Sequence, residues 1–233
     1  MSNSNSLQNS GRLLPHTKMD GDFNMALDLF LLENLSLNGQ GPILRFYSWN
    51  GPWLSIGRNQ KILPFSWEKL VNEKAIRIVR RPTGGNAVLH SGGLTYALVW
   101  PTPPRSKRQA YFESCQWIMK GFDSLGMSLH FGNQPQNNNQ NNCFSTSTSA
   151  DLIDQSGFKR IGNAQLWKGG RLLQHGEILL DPPTEIWRKV FGSQPPDAAP
   201  SFIPREGLNK YLESSLSSTW PNISWSKGNL TNQ

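Results

Sequence analysis

Cysteine is scarce: Cys115 and Cys143 are the only two in 233 residues. Two cysteines make no disulfide framework, and four scattered histidines (His16, His90, His130, His175) give no zinc-ligand spacing. No metal is therefore expected. Long apolar runs are missing too, so nothing approaches the roughly 18 apolar residues of a membrane-spanning helix. Residues 1–17 lack the apolar stretch of a secretory signal. These absences imply a cytoplasmic protein in a reducing compartment, and they leave the sequons at Asn222 and Asn229 without meaning. Stock motifs are absent as well. There is no Gly-x-x-x-x-Gly-Lys-Ser/Thr, no strand leading into Gly-x-Gly-x-x-Gly, no Gly-x-Ser-x-Gly and no His-Glu-x-x-His.

Acidic residues are few, 16 against 23 Lys and Arg, a net charge of +7. The excess lies in residues 1–110, with 13 basic and 6 acidic residues; the remainder holds 10 of each. A basic half suits nucleic acid, a phosphate-bearing substrate or an acidic protein, or is simply a solvated face. No nucleic-acid motif of fixed spacing is present. Hydrophobic residues make up only 36%, but 11 Phe and 9 Trp raise the burial each position can supply. Tryptophans can stack on single-stranded nucleic acid in a non-catalytic binding module. Here Trp117 and Trp187 sit in apolar helical contexts and read as core.

The length fits one domain. Residues 1–19 read as a disordered leader, 20–217 as the folded domain, and 218–233 as a loose C-terminal tail. The first helix would start at a capping Asp22, run through Met25, Leu29 and Leu32, and close at Gly39. Strands at 43–49 and 53–57 flank Asn50-Gly51, a strong hairpin signal. A short helix capped by Ser66, then strands at 76–80, 87–89 and 94–100, come next. Tyr111, Cys115, Ile118, Phe122 and Leu125 recur at helical spacing, which makes Cys115 a core residue. Residues 133–142 are Asn/Gln-rich and read as a flexible loop. Strands at 158–167 and 171–180 form a hairpin about Gly169-Gly170. Helices capped by Thr184 and built on Leu208, Leu212 and Leu216 close the domain. Strands outnumber helices and hairpins join them. The fold class is therefore α+β, a mostly antiparallel or mixed sheet flanked by helices.

Three features carry chemistry. The run Arg80-Arg81-Pro82-Thr83-Gly84-Gly85-Asn86 places two glycines between strands, where backbone amides can approach an anion or carbonyl beside two arginines. Alone, such a turn is more often just a hairpin. Cys143 has polar neighbours, so it can be an exposed thiol; chemistry alone favours an unreactive loop cysteine. The tight turn of the second hairpin puts Lys159, Asn163, Gln165, Gln174 and Gly176 on one face. An inward lysine without a counter-charge is costly and is expected where an anion or oxyanion binds. His90 suits a general base, but a lone histidine at a strand end is more often a hydrogen-bonded structural residue.

Four motifs in one order then become recognisable. They are Arg80-Arg81-Pro82-Thr83-Gly84-Gly85-x-Ala87-Val88-Leu89-His90, Cys143-Phe144, Gly157-Phe158-Lys159-Arg160-Ile161-Gly162-Asn163-Ala164-Gln165, and Leu173-Gln174-His175-Gly176-Glu177. With Asn24-Met25-Ala26-x-Asp28 and Leu44-Arg45-Phe46-Tyr47-x-Trp49, they cover about residues 20–190. This pattern resembles the biotin/lipoate protein ligase and octanoyltransferase family, nearest its cysteine-dependent octanoyltransferases. The resemblance implies a sheet with a tunnel for a fatty or lipoyl chain. Cys143 is implied as nucleophile, with Lys159 at the acyl carbonyl. The acyl and donor side would comprise Arg81, Gly84, Gly85, Asn86, His90, Asn163, Ala164, Gln165, His175 and Gly176. The implied activity is transfer of an octanoyl or lipoyl group from acyl carrier protein to a lysine of a lipoyl domain. The acceptor would belong to a 2-oxoacid dehydrogenase or be the glycine cleavage H protein. The transferase would need no cofactor. The alternative is an ATP-dependent lipoate–protein ligase using ATP and Mg, with Cys143 dispensable. Only 50 residues follow Pro183, which speaks against the accessory domain of many ligases. Neither nucleic acid nor membrane is an expected partner. Asn86 and Asn163 depart from the usual pattern, in which Arg or Gly and Ser stand.

Overall fold

The computed structural model describes residues 10–37, 40–132, 144 and 148–229. The flexible loop expected at 133–142, the helix stop at Gly39 and Cys143 lie outside the described residues. Eleven strands and six helices are described. In chain order they are β1 (Ser10–Met19), α1 (Gly21–Asn34), β2 (Ile43–Trp49), β3 (Trp53–Ile56), α2 (Phe65–Asn72), β4 (Arg77–Arg80), β5 (Val88–His90) and β6 (Gly93–Trp100). Next come α3 (Lys107–Ser124), β7 (Leu129–Phe131), β8 (Leu152–Asp154), β9 (Lys159–Lys168), β10 (Arg171–Leu179), α4 (Thr184–Phe191), α5 (Leu208–Ser214), α6 (Leu216–Thr219) and β11 (Ser224–Lys227).

Eight strands form one sheet in the order β11-β1-β2-β6-β10-β9-β8-β7, and β4-β3-β5 form a second. Pairing is antiparallel except at β1–β11, β1–β2 and β3–β4. The mixed sheet flanked by helices is the expected α+β class. Its central hairpin has the expected register. Lys168 faces Arg171 across Gly169-Gly170, both glycines having positive φ, and Asn163 faces Gly176.

Three expectations fail. Residues 10–19 of the expected leader form β1, which sits between β2 and β11 and buries Leu14. The polar composition hid a strand whose side chains are mostly only half-buried. Likewise Ser224–Lys227, in the expected loose tail, is β11 at the sheet edge. Asn50-Gly51 turns the chain, but β2 and β3 do not pair: β2 lies between β1 and β6, whereas β3 lies between β4 and β5. Both strands are almost wholly buried on two faces, so each has a better partner than the other. The cap residues shift by a position or two. Asp20, Pro64 and Pro183 precede the helices expected to start at Asp22, Ser66 and Thr184.

Packing follows the strand alternation. Tyr96, Leu98, Ile161 and Ile178 point towards α3, where Cys115, Trp117, Ile118 and Phe122 meet them. Ala97, Val99 and Leu173 point the other way, towards Met25, Leu31 and Leu32 of α1. A third cluster joins the small sheet to α2 and α4 through Trp67, Leu70 and Trp187. Trp117 and Trp187 are fully enclosed, as core residues. Among the described residues no helix is long and apolar enough to cross a membrane.

Candidate active site

One cavity of about 230 Å³ lies where the two sheets approach each other. Arg81, Gly84, Gly85, Asn86, His90, Lys159, Asn163, Ala164, Gln165, His175 and Gly176 all line it. Every expected site residue among those described is thus brought together, from segments up to 95 positions apart. Among the described residues no group of three His, Cys, Asp or Glu is placed to hold a metal ion.

The glycine loop forms the rim. Gly85 has φ +94°, a region that side-chain-bearing residues rarely enter. Its carbonyl lies so close to Gly57 that a Cβ there would collide with it. Both arginines are engaged on backbone carbonyls. Nη1 of Arg81 donates to the Ser55 carbonyl at 2.9 Å, and Nη2 donates to the carbonyls of Gly84 and Asn86 at 2.7 Å. Arg81 is only 5% exposed, so it clamps the loop from within. Arg80 is exposed and binds the carbonyls of Gly57 and Gln60 at 2.9 Å.

Behind the loop stand two relays. His90 gives Nδ1–H to Glu177 Oε2 at 2.8 Å and accepts the Ser55 hydroxyl at Nε2, 2.7 Å away. Thr95 donates to the same Glu177 oxygen and accepts from the Trp49 indole at 2.7 Å. Trp49 also stacks on the His90 ring. Burial, outweighing the attraction of Glu177, pushes the His90 pKa below the usual histidine value. His175 gives Nδ1–H to Asp28 Oδ2 at 3.0 Å, and its Nε2 lies 2.6 Å from the Thr83 hydroxyl. Asp28 in turn holds Arg45 at 3.1 Å and Tyr47 at 2.9 Å. Burial and Asp28 raise the Tyr47 pKa, so this phenol stays a donor. Both histidines are thus held in orientation by hydrogen bonds at each ring nitrogen, while their rings still face the cavity.

The opposite wall comes from β9 and β10. Lys159 Nζ pairs with Asp151 at 2.9 Å, both side chains 4% exposed. The inward lysine therefore has a counter-charge, contrary to the expectation that an anionic ligand must supply it. Its ammonium also lies 5.3 Å from the centre of the Phe144 ring. Asn163 donates to the Ala150 carbonyl at 2.8 Å and accepts from Tyr96 at 2.7 Å. Gly176 must be glycine: a Cβ there would stand 2.3 Å from Asn163 Oδ1. Gln165 and Ser114 both donate to Gln174 Oε1, at 2.7 and 2.8 Å. Cys115 sits among these groups, and burial pushes its pKa to about 12, so it is a thiol and no nucleophile.

Among the residues here that carried no expected role are Asp28, Ser55, Asp151 and Glu177. A lysine facing inward signals that an acidic partner must lie near, though not that it is Asp151. Ser55 gives no such signal, because it reads as one more residue of a buried strand.

The geometry has a counterpart in known proteins. The family model of the lipoyl protein ligase A/B catalytic domain matches residues 20–203. The chain is 38% identical over 183 residues to octanoyltransferase LipM of Oceanobacillus iheyensis, which spans 76% of this chain and 67% of that protein. To octanoyltransferase LipM of Bacillus subtilis it is 36% identical over 171 residues, 68% of this chain and 61% of that one. The chain thus spans about two thirds of the length of these curated relatives. A Thermoplasma acidophilum protein described as a lipoate protein ligase, solved with lipoic acid, superposes with a TM-score of 0.79 at 21% identity, over 96% of this chain and 90% of that one. Lipoate-protein ligase A bound with ATP superposes with a TM-score of 0.77 at 22% identity, over 96% and 90%. The fold is that of the lipoate ligases, and the chain belongs to the lipoyl protein ligase A/B catalytic domain family.

Proposed function

We infer that this chain is a protein acyltransferase of lipoylation. It takes an octanoyl (or lipoyl) group from acyl carrier protein onto Cys143 and passes it to a lysine of a lipoyl domain, in a 2-oxoacid dehydrogenase or the glycine cleavage H protein. One observation carries this reading. Lys159, clamped by Asp151, faces the same cavity as the glycine loop and lies beside Phe144, the residue immediately after Cys143 in sequence. The named octanoyltransferases at 36–38% identity support the same reading.

The chemistry needs two attacks. The Cys143 thiolate adds to the thioester carbonyl, the C–S bond to the carrier breaks, and the carrier thiol leaves with a proton. The amine of the acceptor lysine then adds to the new thioester, an amide forms, and Cys143 regains its proton. Each step builds negative charge on the carbonyl oxygen. An oriented ammonium at Lys159 stabilises that charge and favours the thiolate. The thioester is already activated, so this route uses no ATP.

Intact mass after incubation with octanoyl-acyl carrier protein is the test. The expected product is an octanoyl adduct that disappears in Cys143→Ser. Pyrophosphate release from lipoate and ATP by both the wild type and Cys143→Ala would overturn the reading in favour of the ligase.

A further inference from the structure

Away from the cavity, the two most exposed large apolar side chains among those described are Ile62 and Phe65, at 88% and 81%. They stand three positions apart, Ile62 just before α2 and Phe65 at its first residue. Between Gly57 and Trp67 the chain carries Arg58 and Lys61, both exposed, and no acidic residue. Exposed Arg80 binds this segment from the side. The first acidic residue beyond is Glu68, in the first turn of α2. Single apolar residues on a surface are ordinary, but an exposed apolar pair on a stretch whose charges are cationic has the composition of a binding surface.

The segment is anchored. Gln60 N–H donates to the Gly57 carbonyl at 3.0 Å, Leu63 packs on the third core, and Trp67 is fully buried with its indole on the Val190 carbonyl at 2.7 Å. It also abuts the site. The Arg58 amide donates to the Thr83 carbonyl at 2.8 Å, next to the Gly84–Gly85 rim. Such a surface loses little entropy when a partner covers it.

We propose that Arg58, Lys61, Ile62, Phe65 and Arg80 form the docking surface for the acceptor domain, an acidic protein that presents its target lysine at the point of contact. The proposal rests on the acyltransferase reading. Charge complementarity selects an acidic partner. Reach selects the acceptor over the acyl donor. A lysine side chain extends roughly 6 Å from Cα to Nζ, so its domain must press against the rim. The phosphopantetheine arm of an acyl carrier is several times longer, and its protein can dock farther away.

The experiment compares wild type with Ile62→Ser/Phe65→Ser and with Arg58→Glu/Lys61→Glu. All four side chains are exposed, so melting temperatures should be unchanged. Octanoyl loading from acyl carrier protein should stay within about twofold. With a lipoyl domain of a 2-oxoacid dehydrogenase as acceptor, KM should rise about tenfold or more while kcat holds. The charge variant should also flatten the dependence of KM on salt. Equal KM in all three proteins overturns the proposal. So does loss of loading with normal transfer from enzyme already loaded, which would assign the surface to the donor. A dimer that the apolar variant dissociates would assign it to a second copy of this chain. If wild type neither loads nor transfers, the acyltransferase reading has failed. Calorimetric binding of the same lipoyl domain then still decides on the surface, since it needs no chemistry.

Discussion

Arg81 shows how position changes the meaning of a residue. An exposed arginine contributes roughly 0–1 kcal/mol to folding, but Arg81 is buried and holds three backbone carbonyls of the rim and of β3. Arg81→Ala should therefore cost about 2–4 kcal/mol, read as a lower denaturation midpoint in urea. Arg81→Lys should recover little, because one ammonium cannot reproduce the fork. The two neighbouring glycines should part company. Nothing stands within 4 Å of a Cβ built on Gly84, so Gly84→Ala should leave stability within about 0.5 kcal/mol of wild type. Gly85→Ala forces a side chain into a positive φ and against the Arg81 guanidinium, and should cost about 1–2 kcal/mol. Cys115, with a pKa pushed to about 12 by burial, should resist iodoacetamide at pH 8 in a folded Cys143→Ser background and react once urea is added. Peptide mass mapping reads both states.

Among elements, β1 makes the sharpest demand. It fills the gap between β2 and β11 and buries Leu14 beneath α1. Removing residues 1–19 would be harmless if they were a leader; instead it should lower Tm by roughly 10 °C or more, about 3–5 kcal/mol for a chain of this size. Calorimetry of the truncated protein checks this. Sequence patterning read α3 and the β9–β10 hairpin well, because a regular stripe and a tight glycine turn are local signals. It missed β1 and β11, whose polar and half-exposed residues become a strand only when a distant edge receives them. It mispaired β2 with β3, since Asn50-Gly51 specifies a turn and not the partner of the strand beyond it. For the cavity, the glycine loop, Lys159 and the β10 motif were legible as residues. The buried partners of Lys159 and His90 were not, because Asp151 and Ser55 become their neighbours only through tertiary packing.

For the whole molecule, acidity is the natural stress. The His90 pKa is depressed chiefly by burial, so the folded state resists a proton that the unfolded state accepts. Stability is therefore full above about pH 6.5 and falls as pH drops towards the folded-state value, by at most about 1.4 kcal/mol per pH unit. Half-buried His16, also depressed by burial, tilts the curve the same way. His90→Gln should flatten this slope between about pH 6.5 and 5 while lowering stability at every pH, which urea midpoints across the range would show. The edge strands set a different condition. β1 pairs in parallel with β11, Ser10 opposite Ser224 and Leu13 opposite Lys227. During synthesis the first of these strands leaves the ribosome long before the second exists. Until the last segment emerges, β1 offers a bare row of amides and carbonyls that a neighbouring nascent chain can pair with. Chains arrested near residue 203 should aggregate on polysomes, and only the arrival of β11 takes that row out of reach.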